Sequence, residues 1–437
     1  MSKKVVVFGL DGTPYTMLEK LTSAGIMPET KKILGDGTFL QMDAPVPEIS
    51  SVSWSCFMTG KNPAKHGIFG FTDFKPYSYS IRFPNFTELK SETIWDILSK
   101  YKKRSIVLNM PATYPAKPLN GVMISGFVAV DINKAVYPAS LIPLLDDMDY
   151  RLDVDVQLAF ESLDKFLDNV FKTLEIREKA FEHFWNKEQW ELFIGIITGT
   201  DRLHHYLWNA YEDKYHRFHK RFYEYYSKVD HIIGKFYSFL PDDTTFIMLS
   251  DHGFTGIKEE IYLNNLLVEL GFLRFKTEKK ELENISNETI AFILDPGRVY
   301  INIKKRFPEG CVEEGDHYEI VREKIINSIM SFELSNNIKP IKSIFKVEDI
   351  YQGEYINSAP DLIIQSNYGY DLKGTLNEEN ITGKRIFTGM HTGDDAFFFI
   401  NRRINVDKKP HIIDLAPTIL SSFNLDIPED MDGMPLT

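Results

Sequence analysis

Four short runs of apolar and β-branched residues constrain the fold of this chain more than any other feature. They are KVVVFGL (4–10), SIVLN (105–109), ELFIGIIT (191–198) and TTFIMLS (244–250). Continuous apolar runs of this length are typical of strands that are buried on both faces of a parallel sheet. Because helix-like segments separate them, the sequence predicts an α/β fold with a mostly parallel sheet between helices.

Aspartates follow three of these four runs. Asp11 comes directly after the first, while Asp201 and Asp251 follow the third and fourth within three residues. In open α/β sheets the carboxyl ends of the strands carry the ligand site. Each aspartate could instead cap a following helix. This alternative is weakened because an aspartate follows three of the predicted strands.

Three histidines accompany the aspartates. His205 follows Asp201 by four residues, so a helical turn there would place both side chains on one face. His252 adjoins Asp251, and His391 lies in the Gly-flanked segment TGMHTG, which we expect to be a loop before a hydrophobic strand. Imidazole and carboxylate ligands together suit zinc, manganese or iron(II). Six such ligands are enough for two metal ions.

A serine-rich stretch, PVPEISSVSWSCFMTGKNPAKHGIFGF (45–71), shows neither the period of a strand nor that of an amphipathic helix. Residues 50–58 could form a helix with Val52, Cys56 and Met58 on one side. The N-terminal amides and the positive end of the dipole of such a helix would lie beside serine hydroxyls. This arrangement suits a hydroxyl nucleophile that attacks a phosphate, and the alternative is a Ser-rich loop that caps a helix.

The composition excludes several classes of protein. A net charge of −12 argues against a nucleic-acid-binding surface, which needs a basic field to replace counterions. The two cysteines allow neither a disulfide framework nor a Cys-rich zinc site. No run of about 18 apolar residues occurs, so no membrane span is expected. The first residues, MSKKVVVFGLDG, are typical of a strand rather than a signal peptide, and we therefore predict a cytoplasmic protein.

The alternation of strands and helices is interrupted twice. At 131–190, apolar residues recur at three- and four-residue spacings beside many charges, which indicates a helical insertion packed on the outside of the sheet. At 267–387, charged tracts, short strands and a helix indicate a smaller α+β insertion that resembles a cap. We therefore predict an α/β core formed by residues 1–266 and 388–437, which carries the strand-end site.

The motifs of this chain together resemble the type I phosphodiesterase/nucleotide pyrophosphatase branch of the alkaline phosphatase superfamily. The matching pieces are VFGLDG, ISSVSWSCFMTGKNPAKHGI, TDRLHHYLW, LSDHGF, GMH and IIDLAPTILSSFNLDIPEDMDG. They follow the order of the family and span almost the whole chain, so together they are highly specific although each is weak alone. The resemblance implies an alkaline phosphatase-like sheet sandwiched by helices, with the two insertions added to it.

The resemblance also implies residue roles. One metal ion would be held by Asp201, His205 and His391, and the other by Asp11, Asp251, His252 and the nucleophile. Counting back from Thr59-Gly60 places the nucleophile at Ser50, with Ser51 as the alternative, because Val52 stands where relatives carry a proline. His204 is implied to be a neighbour of the site and not a ligand.

The implied function is a metal-dependent hydrolase of phosphate esters, and foremost a phosphodiesterase or nucleotide pyrophosphatase. It would use two divalent ions and a covalent phosphoseryl intermediate; Zn²⁺ is the first choice of metal, with Mn²⁺ and Fe²⁺ as alternatives. The substrate would be a small phosphorylated molecule, nucleotide-like or another phosphodiester, rather than a nucleic acid polymer. Ser51, Trp54 and Lys61 are the candidate substrate contacts.

Several alternatives stay open: a phosphomonoesterase, a phosphomutase, a phosphonate hydrolase or a non-catalytic phospholigand-binding protein. A typical sulfatase is not expected, because Cys56 is followed by Phe57-Met58 and the sulfatase signature is absent. The basic and aromatic candidates do not distinguish a monoester from a diester; they are Trp54, Lys61, Lys65, Arg82 and Arg298. The intact hydroxyl at Ser50 argues against a protein without catalytic activity.

Overall fold

The structure, a computed structural model, describes residues 3–437 apart from the side chain of residue 336. Its strands, numbered in chain order, are β1 (Val5–Leu10), β2 (Thr38–Met42), β3 (Asp73–Phe74), β4 (Ile81–Arg82), β5 (Ser105–Met110), β6 (Gly121–Ser125), β7 (Val136–Tyr137), β8 (Leu192–Ile197), β9 (Thr245–Leu249), β10 (Gly253–Gly256), β11 (Glu259–Tyr262), β12 (Ala291–Leu294), β13 (Arg298–Ile301), β14 (Ile341–Lys346), β15 (Leu362–Ser366), β16 (Tyr370–Lys373), β17 (Thr382–Gly383), β18 (Gly389–Thr392) and β19 (Ala396–Ile400). Its α-helices are α1 (Tyr15–Ser23), α2 (Pro28–Gly35), α3 (Ser50–Thr59), α4 (Pro63–His66), α5 (Ile94–Lys100), α6 (Ile132–Ala135), α7 (Ile142–Asp147), α8 (Leu158–Glu161), α9 (Leu163–Lys187), α10 (Gly199–Glu212), α11 (His219–Ser238), α12 (Leu263–Glu269), α13 (Asp316–Met330), α14 (Val347–Ile350) and α15 (Leu415–Ser422).

The four apolar runs form β1, β5, β8 and β9, and all four belong to one eight-stranded sheet with the order β2–β19–β9–β1–β8–β5–β6–β7. Neighbouring strands from β9 to β6 are parallel. The outer strands β2, β19 and β7 run antiparallel to their neighbours. The predicted α/β fold with a mostly parallel sheet is therefore confirmed.

Phenylalanines form a central part of the hydrophobic core on one face of the sheet. Phe8 of β1 lies 5.7 Å from Phe181 of α9 and 5.3 Å from Phe236 of α11, measured between ring centroids. All three side chains are fully buried. Burying a ring of this size contributes roughly 1.5–3 kcal/mol. The 131–190 segment thus packs its long helix onto the sheet, and it also supplies the edge strand β7, which its helical pattern did not predict.

The sequence analysis also missed β2 and β6, two strands of the main sheet. In β2 the residues TFLQM are mostly half-buried, so the continuous apolar run of a central strand is absent. In β6 the residues GVMIS begin at Gly121, which is the last residue of the Pro-rich segment MPATYPAKPLNG. Pairing with long-range neighbours determines such strands, because their local preferences are weak.

The chain forms two compact units. The first comprises the chain up to Asn62, Asn85–Thr255 and Ile386–Thr437, and the second comprises Pro63–Pro84 and Gly256–Arg385. The second unit contains the antiparallel sheet β12–β13–β15–β14 and the three-stranded sheet β16–β11–β17. It differs from the predicted insertion 267–387 by the added segments 63–84 and 256–266, and it ends at Arg385. The assignment of the two parts as catalytic core and cap stays a prediction.

Aromatic packing and one buried arginine hold the segment 63–84 in the second unit. Phe74 lies edge-on to Phe292 and Tyr300, with ring centroids 5.2 and 5.0 Å away. Arg298 is fully buried and donates hydrogen bonds to the carbonyl (2.7 Å) and hydroxyl (3.0 Å) oxygens of Thr72. These contacts are invisible in the sequence because they join residues more than 200 positions apart.

Two candidates for phosphate recognition therefore have structural partners inside the second unit. Arg298 binds the backbone of its own unit, and Arg82 donates to the Asp73 carboxylate at 2.7 Å. Lys65 also belongs to this unit, within helix α4. In residues 3–437, no helix combines the length and the apolar character needed to cross a membrane.

Candidate metal centre

Three adjacent strands of the main sheet end side by side. In the parallel register, Leu10 of β1 pairs with Ile197 of β8, and Gly9 of β1 pairs with Leu249 of β9. The residues that follow these strands share the carboxyl edge of the sheet, where ligand sites of open α/β sheets lie. Six predicted ligands meet here: Asp11, Asp201, His205, Asp251, His252 and His391. All six belong to the first unit.

The first group consists of Asp201, His205 and His391. Asp201 and His205 lie on α10, whose first turns are helical, so their predicted i, i+4 relation is confirmed. Asp201 Oδ1 is 3.4 Å from His205 Nε2 and 3.2 Å from His391 Nε2, and the two Nε2 atoms are 3.0 Å apart. His391 is on the short strand β18, which pairs with β10, and the prediction of a loop there was wrong.

The second group consists of Asp11, Asp251 and His252, all of them buried. His252 Nε2 lies 3.3 Å from Asp251 Oδ2, 3.8 Å from Asp11 Oδ1 and 3.2 Å from Ser50 Oγ. The rings of His252 and His391 stack with centroids 3.7 Å apart, so the two groups adjoin. The structure thus brings together every residue that was predicted to bind metal.

Backbone carbonyls orient all three histidines in the same way. The Nδ1 atom of each ring lies against a carbonyl oxygen: 3.2 Å for His205 and Gly389, 2.9 Å for His391 and Glu48, and 3.0 Å for His252 and Gly253. A carbonyl only accepts hydrogen bonds, so Nδ1 carries the proton and donates it. Nε2 then faces the cluster, as in metal-binding histidines whose second nitrogen is fixed by a partner.

In each of the three aspartates, one carboxylate oxygen accepts a hydrogen bond. Asp11 Oδ2 accepts from the Trp54 indole (3.3 Å), Asp251 Oδ1 from the Gly12 amide (3.0 Å) and Asp201 Oδ2 from Arg202 (3.0 Å). The remaining oxygens of Asp11 and Asp251 are buried, and within residues 3–437 they have no hydrogen-bond partner. Buried carboxylate oxygens without donors are costly unless a cation neutralises them. Together with the converging Nε2 atoms they fit divalent cations of the zinc or manganese type.

The pKa values of the three carboxyls differ. Burial and the neighbouring Asp251 raise the pKa of Asp11 well above its usual value, and burial raises the pKa of Asp251 to about 6. Burial would also raise the pKa of Asp201, but His205 and Arg202 hold it well below its usual value. Asp11 and Asp251 therefore keep their protons to a higher pH than ordinary carboxyls do, and a cation that binds to the protonated forms has to displace these protons.

Stabilisation by metal should increase with pH. Because burial raises the pKa of Asp11 and of Asp251 in the fold, their protonated forms stabilise the metal-free protein at low pH. This contribution is lost as the pH rises through each raised pKa, which for Asp251 is about 6. A bound cation replaces the protons. We expect Mn²⁺ to raise Tm by at least about 3 °C more at about pH 8 than at about pH 5, measured by calorimetry. Equal shifts at both pH values would contradict this assignment of the carboxyls.

Ser50 is the first residue of α3. The amides of Val52 and Ser53 donate to the Ile49 carbonyl, whereas the amides of Ser50 and Ser51 donate to no group in residues 3–437. Burial lowers the pKa of His252 well below its usual value, so its bare Nε2 accepts from the Ser50 hydroxyl. Geometry thus connects Ser50 with the ligand cluster, while the Ser51 hydroxyl is buried with no hydrogen-bond partner in the described chain.

The burial of helix α3 explains why its sequence shows no alternation of apolar and polar residues with a helical period. All ten of its residues are buried, so no side of the helix faces solvent. The predicted helix over residues 50–58 is confirmed, and Val52, Cys56 and Met58 are buried together with the polar residues of the helix. A helix that is buried all round carries apolar and small polar residues on every face.

Two of the predicted substrate contacts have other roles. Trp54 is fully buried, and its indole holds the Asp11 carboxylate in place. Its ring packs so closely on β1 that a side chain at Gly9 would lie 2.7 Å from it. Lys61 follows the opposite end of α3, about 15 Å from Ser50 along a ten-residue helix, and pairs with Asp430. Trp54 therefore supports the Asp11 carboxylate, whereas Lys61 lies away from Ser50.

Sequence reasoning missed some of the groups that orient the ligands, among them Arg202. The signal was present, because Arg202 directly follows Asp201 inside the TDRLHHYLW motif. His204 uses both ring nitrogens: Nδ1 donates to the Gly12 carbonyl (3.0 Å) and Nε2 accepts from the Tyr226 hydroxyl (2.7 Å). Burial lowers its pKa to about 3, so it is neutral. It supports the loop after β1, as expected for a neighbour that is not a ligand.

Together the fold and the centre define a class: α/β proteins with carboxylate and imidazole groups that could bind metal ions at the carboxyl edge of a mostly parallel sheet. The family model described as type I phosphodiesterase / nucleotide pyrophosphatase matches residues 5–394. The chain belongs to this family and is a phosphoric ester hydrolase. No curated protein gives a significant match.

Solved structures confirm the alkaline phosphatase-like fold. Phosphonoacetate hydrolase from Sinorhizobium meliloti 1021, in complex with phosphonoformate, superposes with a TM-score of 0.64 at 14% identity, covering 97% of this chain and 95% of that one. An inactive form of murine ectonucleotide pyrophosphatase/phosphodiesterase 5, in complex with AMP, gives a TM-score of 0.58 at 14% identity, with coverages of 98% and 96%. At this identity the similarity describes the fold.

Proposed function

We propose that this protein hydrolyses small phosphodiesters or nucleotide pyrophosphates with two divalent metal ions and Ser50 as the nucleophile. The first ion would be held by Asp201, His205 and His391. The second would be held by Asp11, Asp251, His252 and Ser50. The observation that carries the proposal is the position of Ser50 Oγ, 3.2 Å from His252 Nε2, at the free N-terminus of a buried helix.

The charge of the centre suits an anionic substrate. Three carboxylates contribute −3 and two divalent ions contribute +4, which leaves about +1. A protein with a net charge of −12 thereby gains a local positive site for a phosphate ester. Zn²⁺ is the proposed metal, with Mn²⁺ or Fe²⁺ as alternatives, because all three accept mixed imidazole and carboxylate ligands.

Two divalent cations, when bound, would lower the pKa of the Ser50 hydroxyl and stabilise charge on the phosphoryl and leaving oxygens. Ser50 Oγ would then form a bond to phosphorus as the bond to the leaving group breaks; the leaving group is an alcohol for a diester and a phosphate for a pyrophosphate. The amides of Ser50 and Ser51 can donate to a phosphoryl oxygen at the helix N-terminus. Water subsequently breaks the serine–phosphate bond and regenerates the Ser50 hydroxyl.

A diesterase is the first candidate because of the family, and a phosphonate hydrolase is the second. The second candidate is named because a phosphonoacetate hydrolase shares this fold over 97% of the chain. Those two proteins were solved with phosphonoformate and AMP, both small phosphorus-containing anions. We therefore propose a small phosphorylated substrate, and a cytoplasmic location stays a prediction.

A panel of three substrates tests the proposal. The Zn²⁺- or Mn²⁺-loaded protein is assayed with bis-p-nitrophenyl phosphate, p-nitrophenyl phosphate and a phenyl phosphonate ester. We expect the highest kcat/KM for the diester and loss of activity after chelation. Preference for the phosphonate ester would select the second candidate, and preference for the monoester would select a phosphomonoesterase. Hydrolysis of none of the three, together with intact metal binding, would favour a phospholigand-binding protein.

A further inference from the structure

Asp201 is held by a buried chain of charges that lies outside the two ligand groups. Arg202 Nη1 donates to Asp201 Oδ2 at 3.0 Å, while its Nε and Nη2 donate to Asp153 Oδ2 at 3.1 and 2.7 Å. The guanidinium also lies over the Phe127 ring, 4.1 Å from its centroid. Only 11% of the Arg202 side chain and 15% of the Asp153 side chain are exposed. The guanidinium is therefore fixed on several sides.

The position of Asp153 depends on a second buried arginine. Asp153 lies between α7 and α8, in the helical 131–190 segment, and Arg177 of α9 donates to the backbone carbonyls of Arg151 (3.0 Å) and Leu152 (3.3 Å). Arg177 also donates to the Tyr150 hydroxyl, and its guanidinium lies over that ring. The loop that carries Asp153 is therefore tied to the long helix packed on the sheet.

The geometry leaves only one oxygen of Asp201 for a cation. Oδ2 is occupied by Arg202, whereas Oδ1 lies 3.2–3.4 Å from the Nε2 atoms of His391 and His205. Without Arg202 the Asp201 carboxylate could rotate and offer both oxygens, and Asp153 would lose its guanidinium partner. A fixed fork of donors from arginine suits this task better than the point charge of a lysine.

We propose that Arg202, clamped by Asp153, is a positioning residue that makes Asp201 a one-oxygen ligand and thereby sets the affinity of the first metal site. The proposal rests on the proposed function, because it concerns the same metal centre. It also gives the 131–190 segment a task in addition to packing, namely the delivery of Asp153 to the carboxyl edge of the sheet.

Co²⁺ titration of the purified full chain tests this proposal without any turnover. Isothermal titration calorimetry and the visible absorption of bound Co²⁺ are measured for the wild type, Arg202→Met, Arg202→Lys and Asp153→Asn. We expect Arg202→Met to weaken one of the two Co²⁺ equivalents by about 10- to 100-fold and to alter its absorption bands, with the other unchanged. The Co²⁺ affinity of this equivalent in Arg202→Lys should lie between those of the wild type and Arg202→Met. The isosteric Asp153→Asn should lower the affinity of the same equivalent.

Controls separate this role from general stability and from the proposed function. Arg217→Met removes an exposed arginine that pairs with Asp164, and its two Co²⁺ affinities should match the wild type. Unchanged affinities in folded Arg202→Met or Asp153→Asn protein would overturn the inference, as would equal weakening of both equivalents. If Arg202→Met does not fold, Asp153→Asn carries the test. A wild type that binds no Co²⁺ would overturn the metal centre itself.

Discussion

Ser50→Ala is expected to lower kcat by about 10,000-fold or more while the protein still binds its metal ions. The substitution removes one oxygen atom from the start of α3 and leaves the free amides of the helix N-terminus in place. Six other side chains remain to bind the cations. The lost group is the one that forms the bond to phosphorus, so substrate binding should change much less than turnover.

Ser51→Ala is the matched control for this experiment. Ser51 is the next residue of the same helix and is also buried, but its hydroxyl has no hydrogen-bond partner in the described chain. We expect its kcat to stay within about tenfold of the wild type, since the residue acts through its backbone amide. Metal content is measured on both variants. If Ser51→Ala is inactive and Ser50→Ala is active, Ser51 is the nucleophile instead of Ser50. If Ser50→Ala loses its metal ions, Ser50 has a structural role.

His391→Ala is expected to release one of two metal equivalents and to lower kcat/KM by about 1,000-fold. His391 is one of only three side chains in its group, and its Nε2 lies 3.2 Å from Asp201 Oδ1 and 3.0 Å from His205 Nε2. Two ligands are too few to hold a zinc-type cation tightly, since such sites have three or more protein ligands. Elemental analysis after dialysis measures the stoichiometry.

His231→Ala provides the control for a simple loss of imidazole. His231 is exposed on α11 and lies outside both ligand groups, so its removal should leave stoichiometry and activity unchanged. His391→Ala protein that keeps two equivalents at wild-type affinity would show that this histidine is not a ligand. The same protein should retain the cation of the Asp11 group, because that group does not use His391 as a member.

Local patterns in the sequence accounted for most of the fold around the centre. Runs such as residues 4–10 predict a buried parallel strand because they are apolar on both faces. Asp11 is the next residue in the chain, so its position at the carboxyl end of that strand could be predicted as well. The pair Asp201 and His205 could be assigned to one face because the helical repeat is fixed at 3.6 residues per turn. Patterns of this kind depend on neighbours within a few positions.

Other features could not be read from the sequence, because they depend on residues far apart in the chain. Trp54 and Lys61 were both predicted substrate contacts near Ser50. In the structure Trp54 is buried against Asp11, whereas Lys61 follows the far end of the helix. The segment 63–84 joins the second unit through long-range contacts such as that of Arg298 with Thr72. No local preference encodes such partners.

The sequence by itself determined which residue types follow the strands and in which order they occur along the chain. This was possible because strand and helix periods are local properties. Only the tertiary structure decided which side chains meet. It placed Ser50 Oγ against His252 and the Nε2 atoms of His205 and His391 within 3.0 Å of each other. It also placed Asp153 beside Arg202, 49 positions away. The reason is that such contacts depend on sheet order and on packing between distant segments.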